Sequence, residues 1–154
     1  MAEIVHTSRI KITRDRGPIR IAYIEGFSEP VYYGVHGGIQ KFYKVDPIEE
    51  HAATLDHIVG AVSAWMMGTF ASVLATKKIR THTDRFHANV EGDIENVDGV
   101  LKITVIRVHY VLKLSHEEET DARWAMENYI EKCPAAMSVT GCIRLEHSLE
   151  LDPE

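Results

Sequence analysis

Two cysteines, nine histidines and a spread of carboxylates are the side chains of this 154-residue sequence that could carry chemistry. Cys133 stands directly before Pro134, which either stops a helix or takes the first position of a new turn with Cys133 as its cap. In the second case a helix N-terminus would favour the thiolate, the reactive form of the side chain. Cys142 alternates with apolar positions of a closing strand and reads as a core or edge residue. Two cysteines are too few for a secreted disulfide framework, and alone they are not a zinc pair. Glu49, Glu50, His51 and His57 lie close in sequence, and His116 precedes Glu117 to Glu119. Neither group has a ligand spacing such as His-Glu-x-x-His, and the second reads better as a helix start with favourable negative charge. No strained, glycine-flanked serine marks a hydrolase. The expectation is no metal and no cofactor.

The elements that must position these groups are arranged around one stretch. From Ile58 through Thr76 the chain carries no charge, with Asp56 and His57 at one end and Lys77 and Lys78 at the other. Its apolar residues recur at helical spacing on two adjoining stripes. Ile58, Val62, Trp65, Thr69 and Val73 form one, and Val59, Met66, Phe70 and Leu74 the other. Thr54 reads as the N-cap. The run is long enough to raise a membrane span, but Gly, Ser and Thr dilute it and no aromatic belt flanks it. The reading is a central buried helix, covered by its own chain or by a second copy.

Before it, Glu3 to Thr13 and Ile19 to Gly26 read as strands joined by Asp15-Arg16-Gly17-Pro18 turn chemistry. Val31 to Tyr33 and Phe42 to Val45 are short strand candidates separated by glycines. After it, Phe86 to Glu95 and Val100 to Leu114 form a hairpin about Asp98-Gly99. Ile106, Val108, Tyr110, Leu112 and Leu114 alternate there with Arg107, His109 and Lys113, so one face is core and the other partly wet. Ser115 and Glu118 make a capping box for a second helix. Cys142 to Leu151 closes the chain as a strand. The class is α+β with mainly antiparallel sheets, read as a single domain over residues 1–154.

Composition is that of an ordinary globular protein, 45% apolar and 26% charged. A net charge of −6 argues against nucleic acid as a partner, and Asp15 interrupts the one basic cluster of Arg14, Arg16 and Arg20. Met1 to Arg9 lacks the apolar core of a signal peptide, so the expected location is cytoplasmic and no membrane partner is expected.

Several local motifs resemble one family. Thr54-Leu55-Asp56-His57-Ile58-Val59-Gly60-Ala61 is similar to the start of the central helix in the OsmC/Ohr family. Ala88-Asn89-Val90-Glu91-Gly92 through Asp98-Gly99-Val100 resembles its next block, and Glu131-Lys132-Cys133-Pro134 its second-helix signature. The resemblance runs over roughly Ala53 to Leu151. It implies an intertwined homodimer with sites at the subunit interface, a role in oxidative stress, and reduction of organic hydroperoxides by a pair of cysteines. It also implies an activating Arg and Glu.

Carried over residue by residue, the resemblance puts Trp65 at the peroxidatic position, Leu55 at the Glu position and Cys133 at the resolving cysteine. Arg16 and Arg20 are the candidates for the Arg. An indole forms no sulfenic acid, so the two-thiol cycle is not expected within one subunit. One reading is a pocket for a small apolar molecule or hydroperoxide, lined by Trp65, Met66, Phe70 and Leu55, with Tyr32, Tyr33 and His36. Its bland counterpart has Trp65 filling the core. The enzymatic alternative is a thiol-dependent peroxidase using Cys133 alone.

Overall fold

Isoleucines alternating with Lys11 and Thr13 draw the first strand. In the computed structural model, which describes residues 2–82 and 84–154, β1 spans Ile10–Arg14, a later start than the sequence suggested. Gly17 turns the chain at a φ of 56°. β2 (Arg20–Ile24) then returns antiparallel, with Arg20 opposite Arg14 and Ile24 opposite Ile10. β3 (Val31–Tyr33) pairs antiparallel with the other edge of β2 and completes a three-stranded sheet.

The strand expected over Phe42 to Val45 does not form. Gly37–Tyr43 is instead a short helix, α1, ended by Lys44 in the left-handed region at φ 53°. α1 has no buried residue, so no apolar stripe announced it in the sequence. Gly34 bridges to Ala53, and a Cβ there would lie 2.9 Å from the Cβ of His51. That close approach is what requires the glycine. The chain divides into two units, the first reaching His57 and the second running from Ile58 to Glu154.

The uncharged stretch forms α2 (Thr54–Thr76). Thr54 is already helical rather than the cap. The cap works from inside the first turn, where the Asp56 carboxylate accepts the N–H of Ala53 at 2.6 Å. In the second unit Val62, Met66, Phe70, Val73 and Leu74 of this helix are buried. The Phe70 ring lies 4.9 Å from those of Tyr110 and Tyr129 and 5.6 Å from that of Phe86. Helix and sheet also meet at Gly92, where an added Cβ would fall 2.6 Å from Val59 Cγ2.

That sheet is built on the expected hairpin. β4 (Phe86–Val97) and β5 (Val100–Leu114) are joined by Asp98 and Gly99 at φ 53° and 86°, the two positive values a primed turn demands. Between Asp93 and Ile94 the register shifts, leaving Thr104 as an extra residue on β5. Beyond this bulge Ile106, Val108, Tyr110, Leu112 and Leu114 face the core.

At Ser115 the Glu118 carboxylate accepts the backbone N–H at 2.8 Å and the hydroxyl at 2.9 Å. These bonds hold the Glu118 pKa below the usual carboxylate range. A 3-10 turn then leads into α3 (Glu119–Asn128), followed by α4 (Pro134–Val139). The closing strand, β6 (Arg144–Pro153), pairs with β5 in parallel. A parallel pair needs a long crossover, and α3 and α4 are that crossover. The result is α+β, with mainly antiparallel pairing and a parallel pairing of β5 with β6.

Candidate functional site

A helix of 3.6 residues per turn places neighbours about 100° apart, and this decides which side chains of α2 share a surface. Ile58, Ala61, Trp65, Gly68 and Ser72 fall on one stripe and are exposed, Trp65 by 57% and Ile58 by 42%. Met66 and Phe70 face the other way and are fully buried. The expected common lining of Trp65, Met66 and Phe70 is therefore split between the surface and the core of the second unit. Trp65 does not fill that core.

The polar residues of this side do not make it hydrophilic. Thr69 Oγ1 donates to Trp65 O and Ser72 Oγ to Gly68 O, each at 3.0 Å, so their hydroxyls are occupied by the helix's own backbone. Trp65, Gly68, Thr69, Ser72, Val73 and Thr76 form one wall of an open groove of about 640 Å³, and Lys132 and Pro134 form the other. The groove is apolar along its length, with the Lys132 ammonium as a formal charge in its wall.

Cys133 lies between Lys132 and Pro134 in sequence yet is only 1% exposed. Pro134 opens α4 at its first position and Cys133 is the residue before it. The open question at Cys133-Pro134 is thus resolved in favour of a new helical turn. The thiol is nonetheless sealed in the core and is absent from the groove wall. It is not joined to Cys142, which is exposed and sits ahead of β6 rather than within it.

Around Cys133 the core holds a short polar chain that the sequence reading missed. The Tyr110 and Tyr129 hydroxyls, both fully buried, lie 3.1 Å apart, and Tyr129 Oη is 2.9 Å from His147 Nδ1. Burial pushes the Tyr129 phenol up to about 12 and Tyr110 higher still, helped by the nearby Cys133 thiol. Burial also pulls His147 below the ordinary imidazole value. The signal was present: His147 interrupts the apolar face of the closing strand.

The remaining expected site residues lie in the first unit. His36 Nε2 is 2.6 Å from the same Asp56 oxygen that caps α2. Tyr33 stands edge-on to His57, ring centroids 4.7 Å apart, and Tyr32 stacks on His51 at 5.3 Å. Leu55 is half-buried in the first turn of α2. Of the two arginine candidates, Arg16 sits in the β1–β2 turn, 3.9 Å from Asp15, and Arg20 begins β2. Glu49 pairs with His51 at 3.1 Å and His116 with Glu119 at 3.0 Å. Among the described residues no three His, Cys, Asp or Glu side chains converge on a metal-sized site.

A long helix uncharged from Ile58 onward, two small sheets and a Cys-Pro helix start ahead of the last strand define an α+β protein of OsmC type. Comparison with solved structures agrees. The chain is similar to an OsmC-like protein from Mycoplasma pneumoniae, at 15% identity and a TM-score of 0.73, covering 96% of this chain and 99% of that one. It is equally similar to an organic hydroperoxide resistance protein from Elizabethkingia anophelis, at 14% identity and 0.73, covering 98% and 100%. The organic hydroperoxide resistance protein OhrB of Bacillus subtilis follows at 14% and 0.64, covering 96% and 100%. No protein-family model and no curated protein sequence matches the chain. This chain has the OsmC/Ohr-family fold.

Proposed function

We propose that this chain is a cytoplasmic OsmC/Ohr-type homodimer that lodges a small apolar molecule beside Trp65 instead of running a two-thiol peroxide cycle. The observation that carries the reading is the position of Trp65. It is exposed along an apolar groove at the place where the family resemblance calls for a thiol, while the nearest cysteine in sequence to that groove is buried. Self-association rests on the uncharged stripe of Ile58, Ala61, Trp65, Gly68 and Ser72, since a contiguous exposed apolar face marks an interaction surface. α2 is long and apolar enough to cross a membrane, with a mean hydropathy of 1.7 in its richest window. Its aromatic packing through Phe70 supports a helix lying on a sheet instead. The alternative, thiol-dependent hydroperoxide reduction by Cys133, draws on its place ahead of α4, and its burial speaks against it.

The test is a titration with decanol and with cumene hydroperoxide, followed by tryptophan fluorescence and by peroxide consumption in the presence of dithiothreitol. The reading expects a saturable fluorescence change that Trp65→Phe abolishes, with no peroxide consumed. Sedimentation in the same buffer is expected to give a dimer that Ala61→Arg weakens. Peroxide turnover lost in Cys133→Ser would replace this reading with the enzymatic one.

A further inference from the structure

The outer face of the β4–β5–β6 sheet carries an arrangement that the groove beside α2 does not use. On β5, His109 is in register with Ser148 of β6, and Glu150 lies two residues further along the same face. His109 Nδ1 is 2.8 Å from Ser148 Oγ, and its Nε2 is 3.1 Å from Glu150 Oε2. An ionised carboxylate can only accept, so Nε2 of a neutral His109 carries the ring proton and Nδ1 presents its lone pair to the serine hydroxyl. Nucleophile, base and a third group orienting the base are thus hydrogen-bonded in sequence.

A groove of about 510 Å³ opens on this cluster, with Asn89, Arg107, His109 and Ser148 in its wall. Asn89 is opposite His109 on β4 and brings a side-chain amide to the same surface. Arg107 is held in place by Asp93 at 2.5 and 2.9 Å and by Glu146 at 3.1 Å. Its positive charge therefore stands in a fixed position two residues from His109.

We propose that this face is a serine-based acyl-transfer site for small neutral esters. Ser148 Oγ bonds to the acyl carbon as its proton passes to His109 Nδ1. The bond to the alcohol oxygen then breaks, and that oxygen leaves with the proton from His109. Water next attacks the acyl-serine, giving one proton to His109, which returns it to Ser148 as the acid departs. The net change is ester plus water to acid plus alcohol, with no redox partner. Glu150 is a positioning residue. Around the groove Glu91, Asp93, Glu146 and Glu150 outnumber Arg107 and Arg144, so an anionic acyl group is disfavoured. The site is open to water, which places its rate enhancement at the low end for general-base assistance.

The experiment uses the full chain carrying Cys142→Ala, which removes the exposed thiol as a competing nucleophile. It reads hydrolysis of p-nitrophenyl acetate and labelling by a fluorophosphonate probe, located by peptide mass. Expected are turnover above buffer, a probe adduct on Ser148, and at least a roughly tenfold fall of the protein-dependent rate in Ser148→Ala and in His109→Gln. Far-UV circular dichroism checks that each variant folds, and the adduct on otherwise unaltered protein decides the matter if one does not. Hydrolysis that persists in Ser148→Ala, a probe bound elsewhere, or no turnover above buffer overturns the proposal. None of these results bears on ligand binding beside Trp65.

Discussion

The buried pair Tyr110 and Tyr129 makes a sharp prediction because the two hydroxyls are not equivalent. Tyr110 bonds to Tyr129, whereas Tyr129 bonds to both Tyr110 and His147. Tyr110→Phe removes one hydrogen bond and leaves Tyr129 with His147 as its acceptor, a loss of about 1 kcal/mol. Tyr129→Phe removes both bonds and strands the Tyr110 hydroxyl in a fully buried site. The stranded group costs about 1–3 kcal/mol and the lost bond to His147 about 1 more, so the expected total is about 2–4 kcal/mol. In the double variant no hydroxyl is stranded, and its loss should fall below the sum of the two singles. Urea unfolding at pH 7.5 and one fixed protein concentration gives the three values as a double-mutant cycle. If Tyr110→Phe proves as damaging as Tyr129→Phe, or if the two losses simply add, the chain of hydroxyls does not work as described.

Two further outcomes follow from the same core. Burial lowers the His147 pKa, so the unfolded chain takes up the proton first as pH falls below about 6.5. This contribution to stability is complete above that value and declines toward the folded pKa, by at most about 1.4 kcal/mol per pH unit. Urea midpoints between pH 5.5 and 7.5 should show the decline in the parent and a flatter profile in His147→Gln; equal slopes would count against it. Gly92→Ala would drive a Cβ to 2.6 Å from Val59 Cγ2. Because valine is stiff at χ1, the expected loss is about 1–3 kcal/mol. A thermal melt unchanged by this substitution would mean that helix and strand are not in contact there.

What the sequence made legible depended on how local the cause was. Asp98-Gly99 dictates its turn within two residues, and Ser115 with Glu118 closes its box within four, so both were readable and both are found. α1 was not, because its glycines suggested a bend and it buries no side chain that could set a helical period. In α2 the absence of charge concealed the split between its two sides. Charged residues usually mark the wet face of a helix, and here the exposed stripe of Trp65, Gly68 and Ser72 is as uncharged as the buried one. The parallel pairing of β6 with β5 was beyond reach for a different reason. Its partners are some 40 positions apart, and nothing in either strand states its direction. The meeting of His109, Ser148 and Glu150 depends on that pairing alone. The sequence therefore gave His109 as an outward residue without its neighbours.

The extra residue at Thr104 has a consequence for how this strand can change over generations. On the tip side of it Ile103 is covered, and on the other side Ile106 is covered, three positions apart where an unbroken strand would allow only an even count. Losing Thr104 would leave Ile103 and Ile106 two positions apart, so a regular strand would keep both covered and give up only the local bend. A residue added to a regular stretch of the arm would instead turn one half of it to its other face. Thr104 is thus the place where this strand can shorten without exchanging its two faces.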